Sequence, residues 1–181
     1  RRQHMCTSNL EYLLHVNKGP LLKVEPDKIN HSFLGDVLLA SKFEGEYIKT
    51  NYKRLNGQNN NEDKCRAMKY SFADIGDIIR GRDLWERNGD MVKLQGHLET
   101  VFENIRKSLK GKGNDKYNDD APKYLKLRED WWEANRAKVW EAMQCPTIPP
   151  SRGGDIKCAE SDVPFDDYIP QRLRWMTEWA E

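Results

Sequence analysis

The segment LREDWWEANRAKVWEAMQC, residues 127–145, carries three tryptophans among charged residues and ends at a cysteine. Successive residues of a helix are rotated by about 100°, so Trp131 and Trp132 cannot point the same way. We predict a helix in which Trp132 belongs to the core and Trp131 packs against a neighbouring helix, because buried aromatic rings supply a large apolar area. A ligand platform built from these rings is the less favoured interpretation.

Apolar residues recur every three or four positions on both sides of this segment, which is typical of amphipathic helices. The periodic stretches are 32–55, 69–81, 91–109, 122–143 and 170–179. No stretch alternates with a period of two over a useful length. The sequence therefore predicts an all-α helical bundle, with long amphipathic helices joined by polar loops.

Residues 69–81, KYSFADIGDIIRG, carry signals for both ends of a helix. Ser71 and Asp74 match a capping box, which places the helix start at Ser71, and Gly81 suits a C-terminal cap. Asp74 and Asp77 are three positions apart and could share a face, as paired catalytic carboxylates do. No histidine or nucleophile lies nearby in sequence, so a cap and a solvated or salt-bridged carboxylate are favoured.

The apolar positions on the inner faces of these helices define a predicted core. Its members are Phe72, Ile75, Ile79, Leu98, Ile105, Trp132, Val139 and Trp175. A chain of 181 residues is long enough to bury a core of this size.

Composition excludes several function classes. The formal net charge is only +1, so a chain-wide basic field for nucleic acid is absent. No run approaches the about 18 apolar residues that a membrane span requires. The chain opens at Arg1 without a signal peptide, and we interpret it as a domain cut from a larger protein.

Catalytic and cofactor motifs are missing from the sequence. It contains no GxxxxGK[ST], GxGxxG, HExxH or GxSxG pattern. No CxxC pair occurs, and only His4, two positions before Cys6, lies close to a cysteine in sequence, which disfavours a zinc site. We therefore expect no enzyme activity, no metal and no cofactor.

The cysteines bear on the cellular compartment. Cys6, Cys65, Cys145 and Cys158 allow three internal pairings. Two disulfides in an extracellular domain are favoured, and free buried thiols are the alternative.

Local charge is the remaining candidate for a binding site. The candidate basic edge contains Arg106, Lys107, Lys110, Lys112, Lys116, Lys123 and Lys126. Such an edge could attract a sulfated polysaccharide or an acidic protein surface. Acidic residues are interleaved with it, so a solvated helix–loop–helix face is the alternative.

Four segments, in order along the chain, carry a family resemblance. RRQHMC at the start, SFADIGDIIRGRDLW at 71–85, residues 127–145, and YIPQRLRWMTEWAE at 168–181 resemble the Duffy-binding-like domains of the variant erythrocyte membrane adhesins of malaria parasites. The resemblance implies an extracellular cytoadhesion domain, displayed on the infected erythrocyte as part of a membrane-anchored protein. Its partners would be a host receptor (a protein or a sulfated glycan), antibodies and neighbouring domains.

Other functions stay open beside this one. The chain could be a structural spacer of the same adhesin or an erythrocyte-invasion ligand of the same superfamily. An intracellular helical scaffold is a third alternative, which oxidised cysteines would eliminate.

The resemblance also implies a domain organisation and a disulfide pairing. Residues 1–66 would be the end of a first subdomain with a long helix, residues 67–181 a helical second subdomain, and a third, cysteine-rich subdomain is not present. The family pattern pairs Cys65 with Cys145, and leaves Cys6 and Cys158 to pair with each other or with missing partners. The matched motifs are framework motifs, so no receptor-contacting residue is carried over.

Overall fold

The computed structural model describes residues 29–51, 61–84, 89–144, 158 and 162–180. Its α-helices are α1 (Ile29–Asn51), α2 (Asn61–Arg80), α3 (Gly89–Gly111), α4 (Leu125–Gln144) and α5 (Gln171–Ala180). A short 3-10 helix, Asp166–Tyr168, precedes α5. No strand occurs in these ranges, and the predicted all-α fold is confirmed.

Helix α4 is central, and its adjacent tryptophans serve different interfaces. The Trp131 ring lies 4.7 Å from that of Phe33 on α1 and 6.0 Å from that of Phe102 on α3. The Trp132 ring lies 5.2 Å from that of Phe72 on α2. Both indoles are buried, so the assignment of Trp132 to the core and of Trp131 to a helix interface is confirmed.

Two glycines let the helices approach closely. A Cβ on Gly45 of α1 would lie 1.9 Å from the carbonyl oxygen of Met143 on α4. A Cβ on Gly76 of α2 would lie 2.8 Å from ring carbons of Trp132. Any larger side chain at either position would separate the helices, so these glycines determine how deeply α1 and α2 pack on α4.

The predicted start of α2 is wrong. The helix begins at Asn61, well before Ser71. The Ser71 hydroxyl donates to Oε1 of Glu44 at 2.6 Å, within the α1–α2 interface, and does not cap a helix end. Gly81 does end α2: its φ is +71°, and its N–H donates to the carbonyl of Ile78. The Ser71–Asp74 spacing also suits two polar residues on a buried helix face, which local sequence does not distinguish from a cap.

Every predicted core residue is buried except Trp175, which is half-buried. Helix α5 buries Gln171 and Arg174 and exposes Leu173 and Met176. The prediction for Trp175 is wrong because α5 packs through its polar face. On that face Arg174 forms ion pairs with Asp74 and Asp77 of α2.

The disulfide also differs from the expected pairing. Cys65 is bonded to Cys158, with their Cα atoms 5.4 Å apart and a sequence separation of 93. The pairing of Cys65 with Cys145 is therefore wrong, as is that of Cys158 with Cys6. Cys6 and Cys145 lie outside the described residues. A disulfide requires Cα atoms within about 4.4–6.8 Å, a distance that the folded helices determine and the order of cysteines in the chain does not.

Replacing Cys65 by Ser should lower the free energy of unfolding by about 3 kcal/mol, because the bond constrains a long loop of the unfolded chain. Urea denaturation without reductant measures this loss. Cys158→Ser should cost the same, and the double variant no more than either single variant, since all three lack the same bond. Non-reducing peptide mapping that linked Cys65 to Cys145 would contradict the pairing.

The described ranges contain no helix long and apolar enough to cross a membrane. The predicted subdomain boundary between residues 66 and 67 falls inside α2, and the division stays a prediction.

Candidate functional site

The basic edge runs from the end of α3, through the following loop, into the start of α4. Arg106 is half-buried and the other basic residues of the edge are exposed. The loop is held in place by Asp120, whose carboxylate accepts the backbone N–H groups of Lys126 and Leu127 at 3.1 and 2.8 Å. Asp120 thus satisfies free donors at the start of α4. Helix α4 begins at Leu125, three residues after the start of the predicted periodic stretch 122–143.

Acidic neighbours neutralise part of this edge. Lys107 Nζ lies 2.7 Å from Oε1 of Glu103, and Lys116 Nζ lies 2.7 Å from Oδ2 of Asp130. The hydrogen bond from Lys107 lowers the pKa of Glu103, and the one from Lys116 lowers the pKa of Asp130. Lys126 also acts on Asp130 through its charge. The field that a sulfated chain would meet is therefore weaker than the count of basic residues indicates.

Beneath α5 lies a buried charge network, defined here as Asp74, Asp77, Arg80, Arg136, Asp167 and Arg174. Arg174 Nη2 donates to Oδ1 of Asp74 at 2.8 Å and to Oδ2 of Asp77 at 2.6 Å. Arg80 Nη2 donates to Oδ1 of Asp77 at 3.1 Å and to the carbonyl of Asp167 at 2.6 Å. The paired carboxylates of α2 are salt-bridged, as favoured from sequence, and they fasten the C-terminal segment to the bundle.

Asp167 connects this network to α4. Arg136 donates to Asp167 through Nε, at 2.9 Å to Oδ2, and through Nη2, at 2.6 Å to Oδ1. Trp132 Nε1 donates to the same Oδ2 at 2.7 Å. The Arg136 guanidinium also lies 4.8 Å from the ring centre of Tyr168. Neither Arg136 nor Asp167 was predicted as a site residue, because nothing in their local sequence distinguishes a buried ion pair from solvated charges.

Fastening α5 by its polar face leaves apolar side chains on the outside. This C-terminal apolar surface consists of Phe165, Tyr168, Ile169, Leu173, Met176 and Trp179. Trp179 is the most exposed of them, at 85%. Leu173, Met176 and Trp179 are three positions apart along α5 and share one face, and clustered exposed apolar side chains are typical of interaction surfaces.

Comparison with known proteins places the chain in a family. The model of the Duffy binding domain matches residues 1–174. The Duffy receptor of Plasmodium vivax (strain Salvador I) is 29% identical over 127 residues, which cover 70% of this chain and 10% of that protein. The Duffy receptor gamma form of Plasmodium knowlesi is 31% identical over 119 residues, covering 66% of this chain and 9% of that protein.

Solved structures extend the match. The DBLb domain of a PfEMP1 bound to human ICAM-1 is 52% identical with a TM-score of 0.79, covering 99% of this chain and 39% of that chain. The IT4var13 PfEMP1 DBLbeta domain bound to ICAM-1 is 52% identical with a TM-score of 0.79, and the match covers 100% of this chain and 43% of that chain. The varO NTS-DBL1(alpha-1) domain of Plasmodium falciparum is 36% identical with a TM-score of 0.74, and the match covers 99% of this chain and 42% of that chain.

The chain thus spans about a tenth of the length of these curated relatives and about two-fifths of these solved chains. The family match covers almost all of its residues, and the resemblance drawn from the sequence motifs is confirmed. The chain belongs to the Duffy binding domain family.

Proposed function

We propose that this chain is part of an extracellular adhesin domain of the DBLbeta type and that the complete domain binds host ICAM-1. The observation that carries the proposal is the 52% identity, over nearly the whole chain, to two DBLbeta domains whose structures were solved with ICAM-1 bound. An adhesion role, and not catalysis, is what membership of this family supports.

Sequence identity and the disulfide also bear on the alternative functions. An erythrocyte-invasion ligand is supported only by the Duffy receptors, which are 25–31% identical to this chain. The disulfide between Cys65 and Cys158 supports an oxidising compartment and argues against an intracellular scaffold. A spacer without a ligand is the alternative that binding experiments must separate from an adhesin.

The charges favour a protein partner over a sulfated glycan. Lys107 and Lys116 of the basic edge already contact carboxylates, so fewer cations are free to bind sulfate. A protein interface with an apolar centre does not depend on such free cations. Display on infected erythrocytes, recognition by antibodies and contact with neighbouring domains remain part of the proposal.

We further propose that the C-terminal apolar surface packs against a third, cysteine-rich subdomain of the complete domain, and that residues 1–66 and 67–181 form the first two subdomains. The solved relatives support this organisation, because their chains are more than twice as long as the part that matches here. Large exposed side chains such as Trp179, which is 85% exposed, suit a subdomain interface.

A chimera tests the receptor proposal. This chain would replace the matching region of the IT4var13 DBLbeta domain, and surface plasmon resonance would measure its affinity for ICAM-1. We expect the chimera to bind ICAM-1. The unaltered DBLbeta domain and a chimera with the matching region of the varO DBL1(alpha-1) domain are the controls.

Ionic strength provides a second readout. Raising salt from about 0.05 to 0.3 M shortens the screening length and should weaken ICAM-1 binding only slightly, whereas binding to a heparin column should be lost. A folded chimera that does not bind ICAM-1 would overturn the receptor assignment and favour the spacer. Retention on heparin above physiological salt would favour a glycan partner.

A further inference from the structure

A cavity of about 320 Å³ opens between the end of α2, the first half of α3 and the start of α4. Met91, Val92 and Leu125 form its apolar sides. Val92 and Leu125 are 57% and 46% exposed, so this apolar surface is accessible from outside. The volume is at the lower end of the range for ligand pockets, which suits one or two side chains.

The buried side chain of Arg128 forms one end of this cavity. Its Nε donates to the carbonyl of Ile79, and its Nη2 donates to the carbonyl of Ile78 at 3.0 Å and to Oε1 of Gln95 at 2.8 Å. Both carbonyls belong to the last turn of α2, where the helix dipole favours a cation. These bonds hold the guanidinium in one orientation.

The other terminal nitrogen, Nη1, has no acceptor among the residues that the structure describes. It is also absent from the buried polar atoms without a partner there, so it is accessible to solvent. It lies next to the cavity-lining Gly81, where an added Cβ would be 3.0 Å away. The spare N–H groups of Arg128 therefore lie at the wall of the cavity.

Arg128 is a buried cation without a carboxylate partner in the described part of the chain. Burial lowers its pKa to about 10, so it remains protonated at neutral pH. Glu99 acts on it through its charge but forms no ion pair with it within those residues. A buried charge is costly unless it is paired and hydrogen-bonded, and a carboxylate entering the cavity would complete both.

We propose that this cavity receives an acidic side chain of a protein partner, with an adjacent aliphatic side chain packed on Val92 and Leu125. The carboxylate accepts hydrogen bonds from Nη1 of Arg128. Lys123, at the lining of the same cavity, adds a favourable charge, while Asp83 and Glu99 oppose it. The positive charges of Arg128 and Lys123 are equal in number to the negative charges of Asp83 and Glu99. Selectivity for a carboxylate therefore comes from the N–H groups of Arg128 and from the apolar walls. This inference does not depend on ICAM-1 as the receptor.

Dipeptide probes test the proposal on the intact chain. N-acetyl-Leu-Glu-amide should shift the side-chain 15N–1H signal of Arg128 in a saturable titration, whereas N-acetyl-Leu-Gln-amide should not. N-acetyl-Leu-Lys-amide is the cationic control, because it would bind if Asp83 and Glu99, and not Arg128, were the groups that recognise a charged ligand. A larger shift with the lysine probe than with the glutamate probe would overturn the proposal.

Two substitutions test whether the probe binds in the cavity. A Cβ at Gly96, which lines the cavity, meets no atom within 4 Å, so Gly96→Phe should fill the cavity without disturbing the fold. We expect at least a tenfold loss of affinity. Gly111 also has open space around a Cβ but lies outside the cavity lining, so Gly111→Phe is the matched control and should bind normally.

Glu99→Gln tests whether binding of the carboxylate depends on the charge at the cavity. Removing the competing charge should raise affinity for the glutamate probe about twofold to fivefold. Circular dichroism verifies that each variant is folded. Unchanged affinity in folded Gly96→Phe, or weaker binding in Glu99→Gln, would contradict a carboxylate site at Arg128.

Discussion

Gly45→Ala should lower the free energy of unfolding by at least about 4 kcal/mol, or prevent folding altogether. The added Cβ would lie 1.9 Å from the carbonyl oxygen and 2.9 Å from the carbonyl carbon of Met143. Both are backbone atoms of α4, so no side-chain rotation relieves the overlap. Helices α1 and α4 must move apart, and α1 then loses packing of buried side chains such as Ile48 and Val37.

Gly35→Ala is the matched control for this prediction. Gly35 lies in the same helix, and a Cβ there meets no atom within 4 Å. Alanine should stabilise this exposed position by up to about 1 kcal/mol, since glycine is the poorer helix former. Urea denaturation followed by circular dichroism compares the two variants. A similar change in stability at both positions would mean that α1 does not pack on α4 through Gly45.

Asp167→Asn should lower the free energy of unfolding by about 3–5 kcal/mol. Asp167 is 2% exposed and accepts hydrogen bonds from Arg136 and from Trp132 Nε1. The asparagine keeps the shape but removes the charge, and its NH₂ group must face one of these donors. Arg136 then remains as a buried cation without a compensating carboxylate.

The control for Asp167 is another carboxylate of the same region. Glu133 accepts a hydrogen bond from Tyr168 at 2.8 Å but is exposed, so Glu133→Gln should cost less than about 1 kcal/mol. Adding Arg136→Gln to Asp167→Asn should cost less than the sum of the single changes, because the pair would be removed together. Strict additivity would show that the two side chains do not depend on each other.

The elements predicted best are those with local signals. The apolar period of α3 and its end near Gly111 are read directly from neighbouring residues, as is the cap at Gly81. The separate directions of Trp131 and Trp132 follow from helix geometry alone. In each case the information lies within one or two turns of helix.

The predictions that failed concern residues far apart in the chain. Local pattern assigned the apolar face of α5 to the core, but Arg174 pairs with Asp74 and Asp77 of α2, and this turns the polar face inward. Asp130 neutralises Lys116 from the next helix. The spare N–H of Arg128 could not be inferred, because it depends on which carbonyls of α2 its other nitrogens contact.

The sequence by itself determined the helical class, most core positions and membership of the Duffy binding domain family, because periodicity, caps and motifs are properties of neighbouring residues. The tertiary structure decided the partner of Cys65, the buried face of α5, the neutralisation of the basic edge and the cavity at Arg128. Each of these depends on distances between helices, and close approaches such as that of Gly45 to Met143 set those distances.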